Sequence, residues 1–97
     1  MGKPLQSANI LKNVAYKVLI KPSAQKDLDS LPESEVAKIL SRIVNLGNMP
    51  LPVGVQKLHD QGGYRIRAGR YRILFEINNS LKTVLIYRIK HRKDVYR

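Results

Sequence analysis

The sequence predicts an α+β fold, a small single domain of order β-α-α-β-β-β in which a helical hairpin packs on one face of a mostly antiparallel sheet. Three observations carry that prediction. Apolar residues recur three and four apart from Ala24 to Leu46, the helical period. From Tyr64 onward the period changes to two, as in half-buried strands. Turn-forming residues (Pro32, Pro50, Pro52, Gly69, Asn78) fall between these stretches.

The elements follow in order. Residues 1–14 show no clear period and are expected to form an N-terminal arm, disordered or a short helix, ahead of a domain spanning 15–97. Tyr16 to Ile20 reads as a short β-branched strand stopped by Pro22. Ser23 is the expected N-cap of a first helix carrying Ala24, Leu28 and Leu31 on one face. Pro32 interrupts that helix and suits the first turn of the next, where Glu33 and Glu35 complement the helix dipole. Val36, Ile39, Leu40, Ile43 and Leu46 then form one apolar stripe. Gly47 and Asn48 are expected to end it, with Pro50 and Pro52 preventing its resumption.

A connection runs from Gly54 to Gly63. Beyond it Tyr64, Ile66 and Ala68 alternate with Arg65 and Arg67, and Gly69-Arg70 forms a tight turn. Tyr71, Ile73, Phe75 and Ile77 alternate with Arg72, Leu74 and Glu76, and Asn78-Asn79-Ser80 forms a second turn. Thr83 to Ile89 is nearly continuously apolar, the pattern of a central strand.

Composition narrows the functional classes. At 97 residues the chain has room for one domain, and a chain this short buries only ~60–65% of its unfolded surface. With 43% hydrophobic residues it is too apolar for a disordered tail. No apolar run approaches the ~18–20 residues of a membrane span, so no membrane partner is expected. Met1 to Leu11 lacks the apolar stretch of a secretory signal. The absence of cysteine excludes disulfides and makes a reducing cytoplasm the expected location.

Charge is the strongest signal. Eighteen Lys and Arg oppose seven Asp and Glu, a formal net charge of +11. From Gln61 to Arg97 there are ten basic and two acidic residues, a net of +8, whereas four of the seven acids cluster at Asp27, Asp29, Glu33 and Glu35. The basic charge therefore belongs to a surface built by the C-terminal third, and a polyanionic partner is expected.

If helices cover one sheet face, Arg65, Arg67 and Arg72 share the other. The chain then ends in Tyr87-Arg88-Ile89-Lys90-His91-Arg92-Lys93-Asp94-Val95-Tyr96-Arg97, which brings cations, a histidine and a tyrosine off the sheet together. Guanidinium groups match phosphate oxygens, while His and Tyr stack on bases or move protons. A single strand of alternating arginines is usually a solvated face. Three arginines on adjoining strands beside a basic tail favour a binding surface. Arg70, Arg88, Lys90 and Lys93 extend it, and Val95 with Tyr96 gives the tail apolar groups that can dock.

Common enzyme templates are missing. Two isolated histidines and no cysteine make neither a zinc site nor a thiol protease. Neither GxxxxGK nor GxGxxG occurs. Carboxylates are too sparse for a two-metal nuclease, so no metal or cofactor is expected.

The run Tyr64-Arg65-Ile66-Arg67-Ala68-Gly69-Arg70-Tyr71-Arg72-Ile73-Leu74-Phe75-Glu76-Ile77 resembles the central hairpin of RelE-type toxins. The end, Ile89-Lys90-His91-Arg92-Lys93-Asp94-Val95-Tyr96-Arg97, resembles their closing motif. The resemblance covers roughly Tyr16 to Arg97 and implies the toxin of a type II toxin–antitoxin pair, a ribosome-dependent mRNA endonuclease neutralised by a wrapping antitoxin. It implies a catalytic set at Arg65, Arg67, Arg72, Arg92 and Tyr96, with His91 where some relatives carry a basic residue. The partners it implies are mRNA in the ribosomal A site, ribosomal RNA, and an antitoxin with an acidic or amphipathic segment. Arginine at Arg65 and Arg67, where a well-known member has lysine, is a departure, since arginine is a poor general base.

Two other classes stay open on the residues alone. ParE-type toxins share the fold but inhibit DNA gyrase and cut no RNA. A non-catalytic RNA-binding module is less well supported: the chain has five Tyr and one Phe, several needed in the core.

Overall fold

The computed structural model describes residues 15–58 and 62–95. In chain order these form β1 (Lys17–Ile20), α1 (Pro22–Asp29), α2 (Glu33–Asn48), β2 (Gln56–Lys57), β3 (Tyr64–Ala68), β4 (Tyr71–Asn78), β5 (Thr83–His91) and α3, a single turn (Arg92–Val95). One sheet runs β1-β5-β4-β3-β2. Its pairs are antiparallel except β1, which lies parallel to β5 with Lys17 opposite Thr83 and Ile20 opposite Ile86. Such a pair needs a crossover, and the helical hairpin is part of it. Among the described residues no helix is long and apolar enough to cross a membrane.

The architecture is the one the periodicity predicts, with β5 in the interior of the sheet. Ala24 and Leu28 of α1, and Ile39, Ile43 and Leu46 of α2, pack on Ile66, Ala68, Ile73, Phe75, Val84, Ile86 and Ile89 of the sheet. Tyr64 stacks on Phe75 with ring centroids 5.8 Å apart.

Local details differ from the sequence expectations, each for a physical reason. Lys21, not Ser23, is the N-cap of α1, and Pro22 takes the first turn, where its missing N–H costs nothing. Gly47 and Asn48 stay inside α2, and the cap is Met49. The helix is held there by a tertiary bond, since the Gly47 carbonyl accepts from the Tyr16 N–H at 2.8 Å. Leu40 is 39% exposed, so the apolar stripe of α2 is narrower than the spacing suggests. The Gly54–Gly63 connection contains the two-residue strand β2, paired with Arg65 and Tyr64; Gln56-Lys57 has no apolar alternation to announce it. The expected arm at residues 1–14, His59 and Tyr96 lie outside the described residues.

The outer edge of β5 explains how the helices are fixed to the sheet. β1 covers it only through Ile86. Beyond that point α1 supplies side chains where a strand would supply backbone. The Ser23 hydroxyl donates to the Tyr87 carbonyl at 2.7 Å, and Asp27 Oδ2 accepts the Ile89 N–H at 2.8 Å. Asp27 also pairs with the Arg88 guanidinium at 2.9 Å. That hydrogen bond raises the Arg88 pKa further, against the opposing effect of burial.

A second device sits on the other side of β5. Leu74 pairs with Arg88 but Phe75 pairs with Ile86, so Tyr87 is an extra residue, a β-bulge. Val84 and Ile86 face the core before it; after it the inward positions become Ile89 and His91. Arg88 and Lys90 are thereby turned to the face away from the helices.

Asp27→Ala is expected to cost about 1–2 kcal/mol in urea unfolding, because it leaves the Ile89 N–H orphaned. Asp27→Asn keeps an acceptor and should cost under about 1 kcal/mol, since the ion pair is partly exposed and screened. Equal losses would assign the stability to the charge. Gly63 has φ +83°, and a Cβ there would lie 2.6 Å from the Phe75 carbonyl oxygen. Gly63→Ala should therefore lower stability by at least about 1–2 kcal/mol, read as a fall in Tm.

Candidate nucleic-acid interface

Strand register assembles the sheet face opposite the helices. One cross-strand row is Arg67–Arg72–Lys90 and the next is Arg65–Leu74–Arg88, extended by Gln56 beside Arg65. Three cations directly opposite one another on adjacent strands repel, a cost of up to about 1 kcal/mol per pair that packing alone gives no reason to accept.

Arg72 is the centre of the first row and the most unusual residue in the protein. It is only 5% exposed, the one charged side chain in the buried set. Its Nη1 is buried with no hydrogen-bond partner. A buried charged donor left unpaired is costly, and the need is met by any anion that enters beside it. Space exists for one. A cavity of about 340 Å³ is lined by Arg42, Arg65, Arg67 and Arg72, with Gly54, Gln56 and Ile66. Arg65 is oriented by its Nε–H, which donates to Gln56 Oε1 at 2.7 Å.

The other expected residues divide by position. Lys90 stands opposite Arg72. Arg88 is on the same face but is tied to Asp27. His91 is not brought to the arginine cavity: it pairs with Tyr71 on the helix-facing side, its ring edge-on to Tyr71 at 5.3 Å. Its Nδ1 accepts the Lys93 N–H at 3.2 Å. Arg92 opens α3, anchored by its N–H to the Arg70 carbonyl at 2.8 Å. Together Arg70, His91, Arg92 and Lys93 line a second recess, also of about 340 Å³. Arg88, Lys90 and His91 also line a recess against Asp27 and Tyr71, so the expected basic surface is divided among three recesses rather than gathered in one.

One contributor escapes the sequence pattern. Arg42 reaches the cavity from α2, where its only sequence signal is a cation between the core positions Ile39 and Ile43. Tyr87, at the bulge, has a buried hydroxyl with no partner. Burial, reinforced by the charge of Glu76, pushes its pKa above the ordinary phenol value, so it stays protonated and is a poor base. The cavity's guanidinium groups donate hydrogen bonds and cannot take a proton. What such residues can do chemically is hold an anion and stabilise charge that grows on it. Among the described residues no three His, Cys, Asp or Glu side chains cluster as a metal site would require.

Comparison with known proteins identifies the family and the fold. Residues 18–96 match the family model described as the ParE toxin of the type II toxin–antitoxin system parDE. The toxin RelG of Mycobacterium tuberculosis is 34% identical over 84 residues, which is 84% of this chain and 97% of that protein. The RelBE2 toxin–antitoxin complex of Mycobacterium tuberculosis contains a chain 32% identical, with a TM-score of 0.73 over 81% of this chain and all of that one. The archaeal RelE–RelB complex of Pyrococcus horikoshii contains a chain 27% identical, with a TM-score of 0.69 over 80% of this chain and 96% of that one. By its match to the family model, its identity to these toxins and the fold it shares with them, the chain belongs to the RelE/ParE superfamily of type II toxin–antitoxin toxins, as a RelE-type member.

Proposed function

We propose that the chain is an mRNA endoribonuclease that acts in the cytoplasm on mRNA in the ribosomal A site, blocks translation, and is restrained by a cognate antitoxin. The observation that carries this reading is the cation row Arg67–Arg72–Lys90 beside a cavity lined by Arg72, whose buried Nη1 has no hydrogen-bond partner. Three opposed cations and an orphaned guanidinium donor form a poor resting structure and a good phosphate cradle.

In this mechanism the 2′-oxygen of one nucleotide bonds to its 3′-phosphorus as the bond to the next 5′-oxygen breaks. The products are a 2′,3′-cyclic phosphate and a 5′-hydroxyl. Arg65, Arg67 and Arg72 hold the phosphate and stabilise its growing charge, and Lys90 neutralises it from the adjacent strand. One proton must leave the 2′-hydroxyl and one must reach the departing oxygen. Tyr96 and His91 are the candidate proton carriers; the β5 register, which sets His91 beside Tyr71 and away from the arginine cavity, favours Tyr96. Arg92, with Arg70 and Lys93, forms a second basic recess suited to ribosomal RNA.

The antitoxin partner is supported by the complexes in which the structural relatives occur. A net charge of +11 makes an acidic or amphipathic covering segment physically apt.

The test is cleavage of a defined mRNA on translating ribosomes, mapped by primer extension. Arg72→Ala is expected to lower the cleavage rate by ~10²–10³-fold, the range for losing one charge-stabilising donor. Tyr96→Phe should lower it by ~10²–10⁴-fold with the fold intact. Intact mRNA accompanied by inhibition of gyrase supercoiling would transfer the chain to the ParE-type activity for which the matching family model is named. Stability supplies an independent check. Lys90→Gln relieves one like-charge pair and should stabilise the free protein by up to about 1 kcal/mol while slowing cleavage. A destabilised Lys90→Gln would mean the row is not under repulsion.

A further inference from the structure

The cavity beside Arg72 is bounded on its far side by Arg42, a residue of α2 and not of the hairpin. Arg42 lies between Ile39 and Ile43, both buried, so its backbone is fixed by the core. Its Nε–H donates to the Arg67 carbonyl at 3.1 Å. This bond holds the planar guanidinium at the edge of β3, where β2 no longer covers the strand; β2 pairs only with Tyr64 and Arg65. The Nη1 and Nη2 groups make no hydrogen bond or ion pair within the described residues. A guanidinium oriented through one nitrogen, with two free, is set for bidentate recognition of a phosphate.

The volume limits what fits. About 340 Å³ lies at the bottom of the ~300–1,000 Å³ range of small-ligand pockets. It takes one unpaired nucleotide and not a duplex. Arg72 and Arg42 belong to opposite layers, sheet and helix, and meet across this one space.

We propose that Arg42 binds a second phosphate of the RNA strand, the one adjacent to the phosphate held by Arg72, so that the strand bends around the free edge of β3. The ligand class is single-stranded RNA, and Arg42 is a substrate-positioning residue. The inference rests on the nuclease reading above and extends it by one nucleotide.

The experiment titrates the full chain with non-cleavable 2′-O-methyl RNA, as a dinucleotide with one phosphate and a tetranucleotide with three, followed by NMR or calorimetry without ribosomes. Arg42→Gln keeps an N–H donor for the Arg67 carbonyl and removes the charge. It is expected to weaken tetranucleotide binding by about tenfold, the value of one charge-assisted contact, and dinucleotide binding by less than about twofold. Arg42→Lys, which restores charge without the planar fork, should recover part of the tetranucleotide affinity. Arg72→Ala should weaken both RNAs. Unchanged binding by Arg42→Gln, or an equal loss for both lengths, overturns the second phosphate site. Undiminished binding of both RNAs by Arg72→Ala would instead remove the nuclease reading beneath it.

Discussion

Strand β5 has to satisfy two different neighbours along one edge, and most of the structure follows from how it does so. For its first half that edge belongs to β1. For its second half it belongs to α1, through the Ser23 hydroxyl and the Asp27 carboxylate. An uncovered strand edge is a row of unpaired donors and acceptors and a template for association. A helix can complete it only if polar side chains stand at the right heights. Ser23 and Asp27 are four residues apart on α1, one turn, and they reach Tyr87 and Ile89, two residues apart on β5. One helical turn advances about 5.4 Å and two strand residues about 6.6 Å, so the two elements match in pitch along this short seam. Polar bonds therefore lock the helix layer to the sheet, and the apolar residues beneath need only fill space.

The bulge at Tyr87 gives this frame its chemistry. In an unbroken strand the alternation of Val84 and Ile86 would continue to Arg88 and Lys90, burying both cations among the helices. One inserted residue reverses that order, sending Ile89 to the core and Lys90 to stand opposite Arg72. The cost is visible nearby: the Tyr87 hydroxyl has no partner, and three cations stand in a line. Both are local violations of the packing and pairing rules, and such violations concentrate where a protein binds something. On the nuclease reading, an arriving phosphate would neutralise this row, so that binding energy and relief of repulsion would act at the same residues.

How much of this was legible in the sequence depends on which interactions are local. The two helices and the β3–β4 hairpin follow from period, because the apolar residues that define them, Leu40 excepted, also pack in the core. The shared face of Arg65, Arg67 and Arg72 follows from the same alternation. β2 does not, since Gln56-Lys57 is a strand only because Arg65 and Tyr64 pair with it. The sides taken by His91 and Lys90 do not follow either. A bulge has no apolar signature, and one unmarked residue inverts everything after it. Arg42 was invisible for a third reason: its role comes from a contact between layers, with the Arg67 carbonyl 25 positions away. Asp27 was read as part of an acidic patch and is instead the bolt of the helix–sheet seam.

The division of labour within the site has a physical logic. Arginine cannot give up its proton, so a cavity built from four arginines can stabilise charge but cannot begin a reaction. Tyr87, the nearest phenol by sequence to Lys90, is held protonated by its own burial. A proton carrier has therefore to come from elsewhere in the chain or from the partner on which the reaction runs. On the nuclease reading, charge stabilisation and proton transfer would then fall to different parts of the site. On that reading the rigid sheet would supply a preorganised electrostatic cradle, and the step that needs a proton would wait for the substrate to be presented in the right geometry. For a fixed set of cations, orientation is worth several powers of ten in rate. A large ribonucleoprotein that delivers the strand already aligned could supply that factor, whereas free RNA, meeting the same cavity in many poses, would bind and leave.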